Sequence, residues 1–321
     1  MKKGLTMKDI ENLSIRDAFG EVLVQLGEEF ENLVLLGADA INSTRGAAFA
    51  RKFPHRTFNF GVAEANMVGV AAGLAMCGFI PMATAYAFLI SMRACEQVQT
   101  DICYHNLNVK LIATHGGLSF GTNGPTHHSI DDIAIMRSFP NITVVVPADA
   151  YETTKAARAV IEHNGPVYLR LGRGRVPAVY KEDYQFVLKE AITLKEGNDL
   201  AIIACGVMVG AAVEAALALK KEGIEARVIN MHTIKPIDRD AIVNAAKETG
   251  KIITAEEHNI VGGLGDAVAS VICEEGIPVK LVKIGIRDTF CVQGSPEELL
   301  HKYGLDSENI VKVAKRLLSC K

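Results

Sequence analysis

Blocks of like charge are missing from this sequence. Its 321 residues carry a formal net charge of -3 with basic and acidic side chains interleaved, so any anion recognition has to be local. No Cys-x-x-Cys pair occurs among Cys77, Cys95, Cys103, Cys205, Cys273, Cys291 and Cys320, most of which lie in apolar runs. Reduced thiols and a cytoplasmic location are expected, and no chemistry is assigned to them. The amino terminus has Lys2 and Lys3 but no apolar core behind them, which is not the pattern of a secretory signal. There is no internal repeat and no low-complexity tract. Gly-x-Gly-x-x-Gly does not follow the first strand, and the Gly262 to Gly265 cluster comes late, which argues against a nicotinamide-binding protein.

What is present is apolar sequence, 49% of the chain, enough for substantial cores and for two domains. Met67 to Met92 is uncharged, but Gly69, Gly73, Gly78 and Pro81 interrupt it. A buried helix to about Cys77 and a buried strand from Pro81 to Phe88 explain it better than a membrane span. Short apolar runs such as Leu33 to Gly37, Val109 to Ala113 and Val144 to Val146 alternate with segments at helical spacing, predicting α/β domains with mostly parallel sheets covered by helices. The pattern weakens between Arg175 and Asn198, which reads as a linker between domains at 1–185 and 186–321. A second α/β unit then begins with strand Leu200 to Cys205, a helix from Val209 to about Lys221, and strands Ala226 to Met231 and Ile252 to Ala255. The last helix is expected to be capped by Ser307 and to present Ile310, Val311, Val313, Ala314, Leu317 and Leu318 on one face.

Two segments carry chemistry. In Phe58-Asn59-Phe60-Gly61-Val62-Ala63-Glu64 a carboxylate stands at the entrance to the uncharged run. Glu64 is either a desolvated carboxylate that meets a specific donor or holds a proton, or a solvated glutamate favoured by a helix amino terminus. The second segment, Ala113 to His128, leaves a strand's carboxyl end, where open α/β sheets place ligands. Its glycines permit close backbone approach, and His115, His127 and His128 can donate, accept or move protons near neutral pH. Their spacing fits no standard zinc motif, and no metal ligand is assigned to this chain.

Gly61-Val62-Ala63-Glu64-Ala65-Asn66-Met67, Gly124-Pro125-Thr126-His127-His128, Arg137-Ser138-Phe139-Pro140-Asn141-Ile142 and Pro147-Ala148-Asp149 together resemble the pyrimidine-domain signature of the transketolase family. The resemblance continues through Pro166 to Arg173, His232 to Asp238 and Glu256 to Gly265 of the carboxy-terminal domain, and so covers nearly the whole chain.

That resemblance implies thiamine-diphosphate chemistry, in which a ketose carbon-carbon bond breaks and a two-carbon ketol unit passes to an aldose. Glu64 matches the family glutamate that hydrogen-bonds the aminopyrimidine ring and promotes loss of the thiazolium proton. Tyr86 and Phe88 match the region whose aromatic rings pack on that pyrimidine, Phe88 being the first choice. His115, Asn123 and His127 match substrate-facing positions, near the phosphate, a sugar hydroxyl and the reacting carbonyl respectively. Asn123 replaces a common family aspartate, which keeps hydrogen bonding but removes a charge. Arg45 and Arg173 match the cations that clamp the sugar phosphate, whereas Arg170 and Arg175 also read as surface cations.

The family's diphosphate domain carries Gly-Asp-Gly and a downstream asparagine. No Gly-Asp-Gly occurs here; Gly263-Leu264-Gly265-Asp266 lies in the carboxy-terminal domain without such an asparagine. The resemblance therefore implies one wall of a thiamine-diphosphate site. A separate amino-terminal subunit would hold Mg2+ or another divalent metal, with two copies of each chain in the assembly. The beta subunit of a 2-oxoacid dehydrogenase, a deoxyxylulose-phosphate synthase and a non-catalytic paralogue are the alternatives.

Overall fold

Runs too short and too β-branched for helices become the buried strands of two sheets in the computed structural model, which describes residues 12–181 and 183–319. The first sheet has seven strands in the order Thr233–Lys235, Thr143–Val145, Val167–Arg170, Lys110–Thr114, Ile80–Tyr86, Leu33–Gly37 and Thr57–Asn59. Neighbours pair in parallel, except that Thr233–Lys235 runs antiparallel along the Thr143–Val145 edge. The second sheet has five, in the order Lys280–Ile286, Lys251–Asn259, Leu200–Ala204, Ala226–Asn230 and Ile192–Lys195, with only the last antiparallel. Asn12–Ser14 and Arg175–Pro177 form a small antiparallel pair.

Successive strand residues point to opposite faces, so each face needs its own cover. Leu33 and Leu35 pack with helices Ile15–Glu29 and Ala150–Glu162, while Val34 and Leu36 pack with Glu64–Met76 and Asp132–Ser138. In the second sheet Leu200, Ile202 and Ala204 meet helices Met208–Lys221 and Ser307–Ser319. Ala201 and Ile203 share a core with Arg239–Thr249, Leu264–Glu274 and part of the first sheet. The expected α/β architecture with two mostly parallel sheets is the one observed.

Several local expectations are corrected. Helix Glu64–Met76 is covered on one face only: Met67, Val68, Ala71 and Ala72 are buried, while Val70 and Met76 are exposed. No helix among the described residues is long and apolar enough to cross a membrane. The strand expected to reach Phe88 ends at Tyr86 and turns into a helical segment containing the π-helical turn Leu89–Arg93. The strand expected to stop at Ala255 continues to Asn259, because its buried polar side chains find partners. The Glu256 carboxylate, for one, accepts from Leu264 N at 2.6 Å and Gly265 N at 2.8 Å, at the start of helix Leu264–Glu274. Asp306 caps the last helix instead of Ser307, accepting from Asn309 N at 2.8 Å. The linker is also tied down: Val179 N and Tyr180 N donate to Asp149 at 2.6 and 2.8 Å, and Tyr180 stacks on Tyr184. Six of the cysteines are free thiols, and Cys320 and the extreme amino terminus lie outside the described residues.

Candidate active site

Glu64 opens helix Glu64–Met76 and is 1% exposed. Of the two readings open from sequence, the structure adopts the buried carboxylate with a specific donor. Arg93, at the end of the π-helical turn, donates to Glu64 Oε2 at 2.7 Å. The other oxygen, Oε1, is buried and has no hydrogen-bond partner. A buried carboxylate oxygen left unmatched costs about 1–3 kcal/mol or more. The geometry therefore offers a strong acceptor to a donor that this chain does not supply.

The histidine loop begins where strand Lys110–Thr114 ends. His115 has φ +61 and is 2% exposed. Its Nε2 lies 3.3 Å from Arg16 Nη1 and its Nδ1 lies 2.8 Å from Thr114 Oγ1. Arginine can only donate, so Nε2 accepts and the ring proton resides on Nδ1, where it can bond Thr114. Burial pushes the His115 pKa down to about 3, helped by Arg16, Arg173 and Arg45. At neutral pH this ring is a fixed neutral group, which of the roles open from sequence favours donating and accepting hydrogen bonds. His128 is buried with Nε2 at 3.4 Å from Gly121 O, which gives it a role in holding the loop. His127 is half-buried, with Nδ1 at 3.1 Å from Thr126 Oγ1.

Five rings meet at this point. Tyr86 lies 4.4 Å from His115 and 5.4 Å from Phe120, and Phe88 lies 5.0 Å from His127 and 6.2 Å from Tyr86. Phe120 also contacts His115 and His127, at 4.6 and 5.6 Å between centroids. Tyr86 and Phe88 are only half-buried, so the cluster keeps an accessible side. Asn123 is exposed in the turn Gly121–Asn123 at the tip of the same loop.

Cations gather beside the rings. Arg173 places its guanidinium 4.9 Å from the Phe120 ring centre. Arg16 donates to Ser43 O at 2.6 Å and to Arg173 O at 3.2 Å. Arg45, at φ +66, pairs with Asp17 at 2.6 Å, and its backbone sits so close to Gly20 that a side chain there would collide with it. Burial, with the neighbouring Arg45 and Arg173 cations adding to it, lowers the Arg16 pKa to about 10. Three guanidinium groups facing one nearby carboxylate make a site that favours an anion.

Arg16 and Phe120 escaped the sequence reading. Arg16 had a signal: a cation in the first turn of helix Ile15–Glu29 opposes the helix dipole and needs another reason to be there. Arg170, read as a possible surface cation, is instead buried, donating to Asp132 Oδ2 at 2.8 Å, whereas Arg175 is exposed. Among the described residues, no group of three or more His, Cys, Asp or Glu side chains is placed to hold a metal ion.

Residues 11–178 match the transketolase pyrimidine binding domain and residues 189–310 the transketolase C-terminal domain. A solved structure of a split gene transketolase, an inactive beta4 tetramer, superposes with a TM-score of 0.89 at 46% identity, covering 96% of this chain and 99% of that one. An apulose-4-phosphate transketolase subunit of Phocaeicola vulgatus is 42% identical over 94% of this chain and 96% of its own length. The 6-deoxy-6-sulfo-D-fructose transketolase subunit SqwH of a Clostridium species is 39% identical over 95% of this chain and 94% of its own length. Matched over residues 11–178 and 189–310, this chain belongs to the transketolase family, as its pyrimidine-binding and C-terminal domains.

Proposed function

We propose that this chain is the pyrimidine-binding subunit of a two-chain, cytoplasmic transketolase that moves a two-carbon ketol unit from a ketose phosphate to an aldose phosphate. The observation that carries the reading is the unmatched, buried Oε1 of Glu64 on a chain whose family binds an aminopyrimidine. Glu64 would accept from the pyrimidine ring of thiamine diphosphate, and the half-buried Tyr86 and Phe88 would pack against that ring. When bound, the cofactor supplies the nucleophilic carbon on which the ketol unit is carried.

The remaining groups serve the sugar. Arg16, Arg45 and Arg173 form the phosphate clamp, and His115 is a neutral hydrogen-bonding group beside it. His127 lies by Phe88, where a half-buried imidazole can bond the reacting carbonyl or relay its proton. Asn123 at the loop tip bonds a sugar hydroxyl. The diphosphate and its Mg2+ are assigned to a companion subunit bearing Gly-Asp-Gly, with two copies of each chain across a two-fold axis. Val62, Val70, Met76 and Met92 are exposed in and around the segment that begins at Glu64, and this apolar surface is where the companion docks. The domains are placed at 1–185 and 186–321.

The deciding assay offers the assembled complex sugar phosphates, apulose 4-phosphate included, then 2-oxoacids, then pyruvate with glyceraldehyde phosphate. Ketol transfer between sugar phosphates is expected. Turnover confined to either of the other two substrate sets makes the chain a 2-oxoacid dehydrogenase subunit or a deoxyxylulose-phosphate synthase part. No turnover at all, with cofactor and companion present, makes it an assembly paralogue.

Arg173→Ala is expected to raise KM for phosphorylated substrates about 10- to 100-fold, the range for losing one charge-assisted contact of about 1.5–3 kcal/mol. Turnover of hydroxypyruvate, which has no phosphate, should stay near normal because the clamp is remote from the reacting carbon. Equal losses on both substrates would indicate structural damage in place of a lost clamp.

A further inference from the structure

The histidine loop is held by the other domain. Its neck closes where Gly117 N donates to Ser129 O at 2.9 Å and Ser129 N donates to Gly117 O at 3.1 Å. Just inside the neck, Leu118 N donates to Glu257 Oε1 at 2.8 Å. Glu257 is a buried residue of strand Lys251–Asn259 in the second sheet. Gly117, at φ +64, has no side chain to spare, because a Cβ there would overlap the Glu257 carboxylate. From the same strand Asn259 N donates to Ile130 O at 2.8 Å, while Arg170 Nη2 bridges Ser129 O and Glu257 O at 2.9 and 3.1 Å. At the tip, Gln293 Nε2 donates to Thr122 O at 2.6 Å and Gly294 N to Gly121 O at 3.3 Å.

Between these anchors lie Phe120, Asn123 and His127. An aliphatic side chain at position 257 would fill its space with less desolvation than a carboxylate. The carboxyl group adds a directional oxygen acceptor for one backbone N–H, and so fixes the loop's position more tightly than packing alone. We propose that Glu257 is a positioning residue for ketol transfer, holding from the C-terminal domain the loop that sets His127 and Phe120 against Tyr86 and Phe88. The inference rests on the reading that this loop faces the sugar phosphate.

Backbone amide exchange at residues 116–128 tests the anchoring directly, in this chain alone and in the complex with its companion, thiamine diphosphate and Mg2+. In Glu257→Ala, loop exchange should accelerate about tenfold or more through easier local opening. Ketol-transfer kcat should fall on the order of 10- to 100-fold, the scale for a displaced catalytic group. Thiazolium proton exchange, which reports the Glu64 end of the site, should change by no more than about twofold. Glu257→Gln keeps an oxygen acceptor and should restore most of the loop protection and turnover. Gln293→Ala removes only the tip contact and should give the same pattern on a smaller scale, which keeps the idea testable if Glu257→Ala does not fold. Unchanged loop exchange overturns the inference, as does faster loop exchange with unaltered kcat. Equal losses of thiazolium exchange and ketol transfer overturn it too, since they signal damage to the whole subunit. A wild-type complex without sugar-phosphate turnover refutes the proposed function instead, and loop exchange then decides the anchoring role by itself.

Discussion

Glu64→Gln in the assembled enzyme should lower turnover and thiazolium proton exchange about a hundredfold or more, the usual scale for removing acid-base assistance. The carboxamide is nearly the same size, so packing at the start of helix Glu64–Met76 is preserved. Its single oxygen can still satisfy Arg93, which holds Oε2 at 2.7 Å in the native pair. The NH2 group then occupies the position of Oε1, and a donor stands where an acceptor is required. Sugar-phosphate KM should move by only a few-fold, because the phosphate clamp and His127 are untouched. Near-normal proton exchange in this variant would remove Glu64 from cofactor activation.

Purified without a companion, the chain should fold and be inactive. Both faces of each sheet are covered by residues of this same chain, so folding does not wait for a second subunit. Cofactor affinity is another matter, because in the proposed two-chain enzyme this chain meets only the uncharged pyrimidine half of thiamine diphosphate. Loss of even two charge-assisted diphosphate contacts, at about 1.5–3 kcal/mol each, weakens binding on the order of a hundredfold or more. Titrating the companion into this chain with cofactor and Mg2+ should restore ketol transfer, with saturation at equal numbers of the two chains. Calorimetry should register tight cofactor binding only in the mixture. Full activity or tight cofactor binding by this chain alone would end the two-subunit model.

Much of the fold was legible because buried parallel strands are uniformly apolar. Leu33–Gly37 is found as read, and Lys110–Thr114 and Thr143–Val145 are displaced by one residue. The apolar pattern of Lys251–Asn259 stops short at Ala255 for the opposite reason. Glu256, Glu257 and His258 look like solvent-facing residues until distant backbone N–H groups and a facing loop are known to satisfy them. The place of Glu64 at a helix start was visible from its apolar surroundings, but its Arg93 partner was not. Arg93 follows the uncharged run by one residue and reaches back through a π-helical turn, a geometry with no sequence period of its own. Phe120 escapes notice in the sequence because a lone phenylalanine in a glycine-rich loop gives no hint that Tyr86, His115 and His127 converge on it. The uncharged run reads as a buried helix to about Cys77 because its composition is apolar all round, and composition does not say which face of Glu64–Met76 the chain itself covers.

The strand Thr233–Lys235 belongs by sequence to the second half of the chain and by hydrogen bonding to the first sheet. The polypeptide thus leaves the first sheet at Arg170, builds part of the second, returns to pair with Thr143–Val145, and departs again. A fragment ending in the linker would expose Thr143–Val145 as an open edge, with its backbone donors and acceptors available to other chains. Proteolysis near residue 185 would accordingly leave two pieces interlocked, and a nicked protein would migrate as one species until denatured.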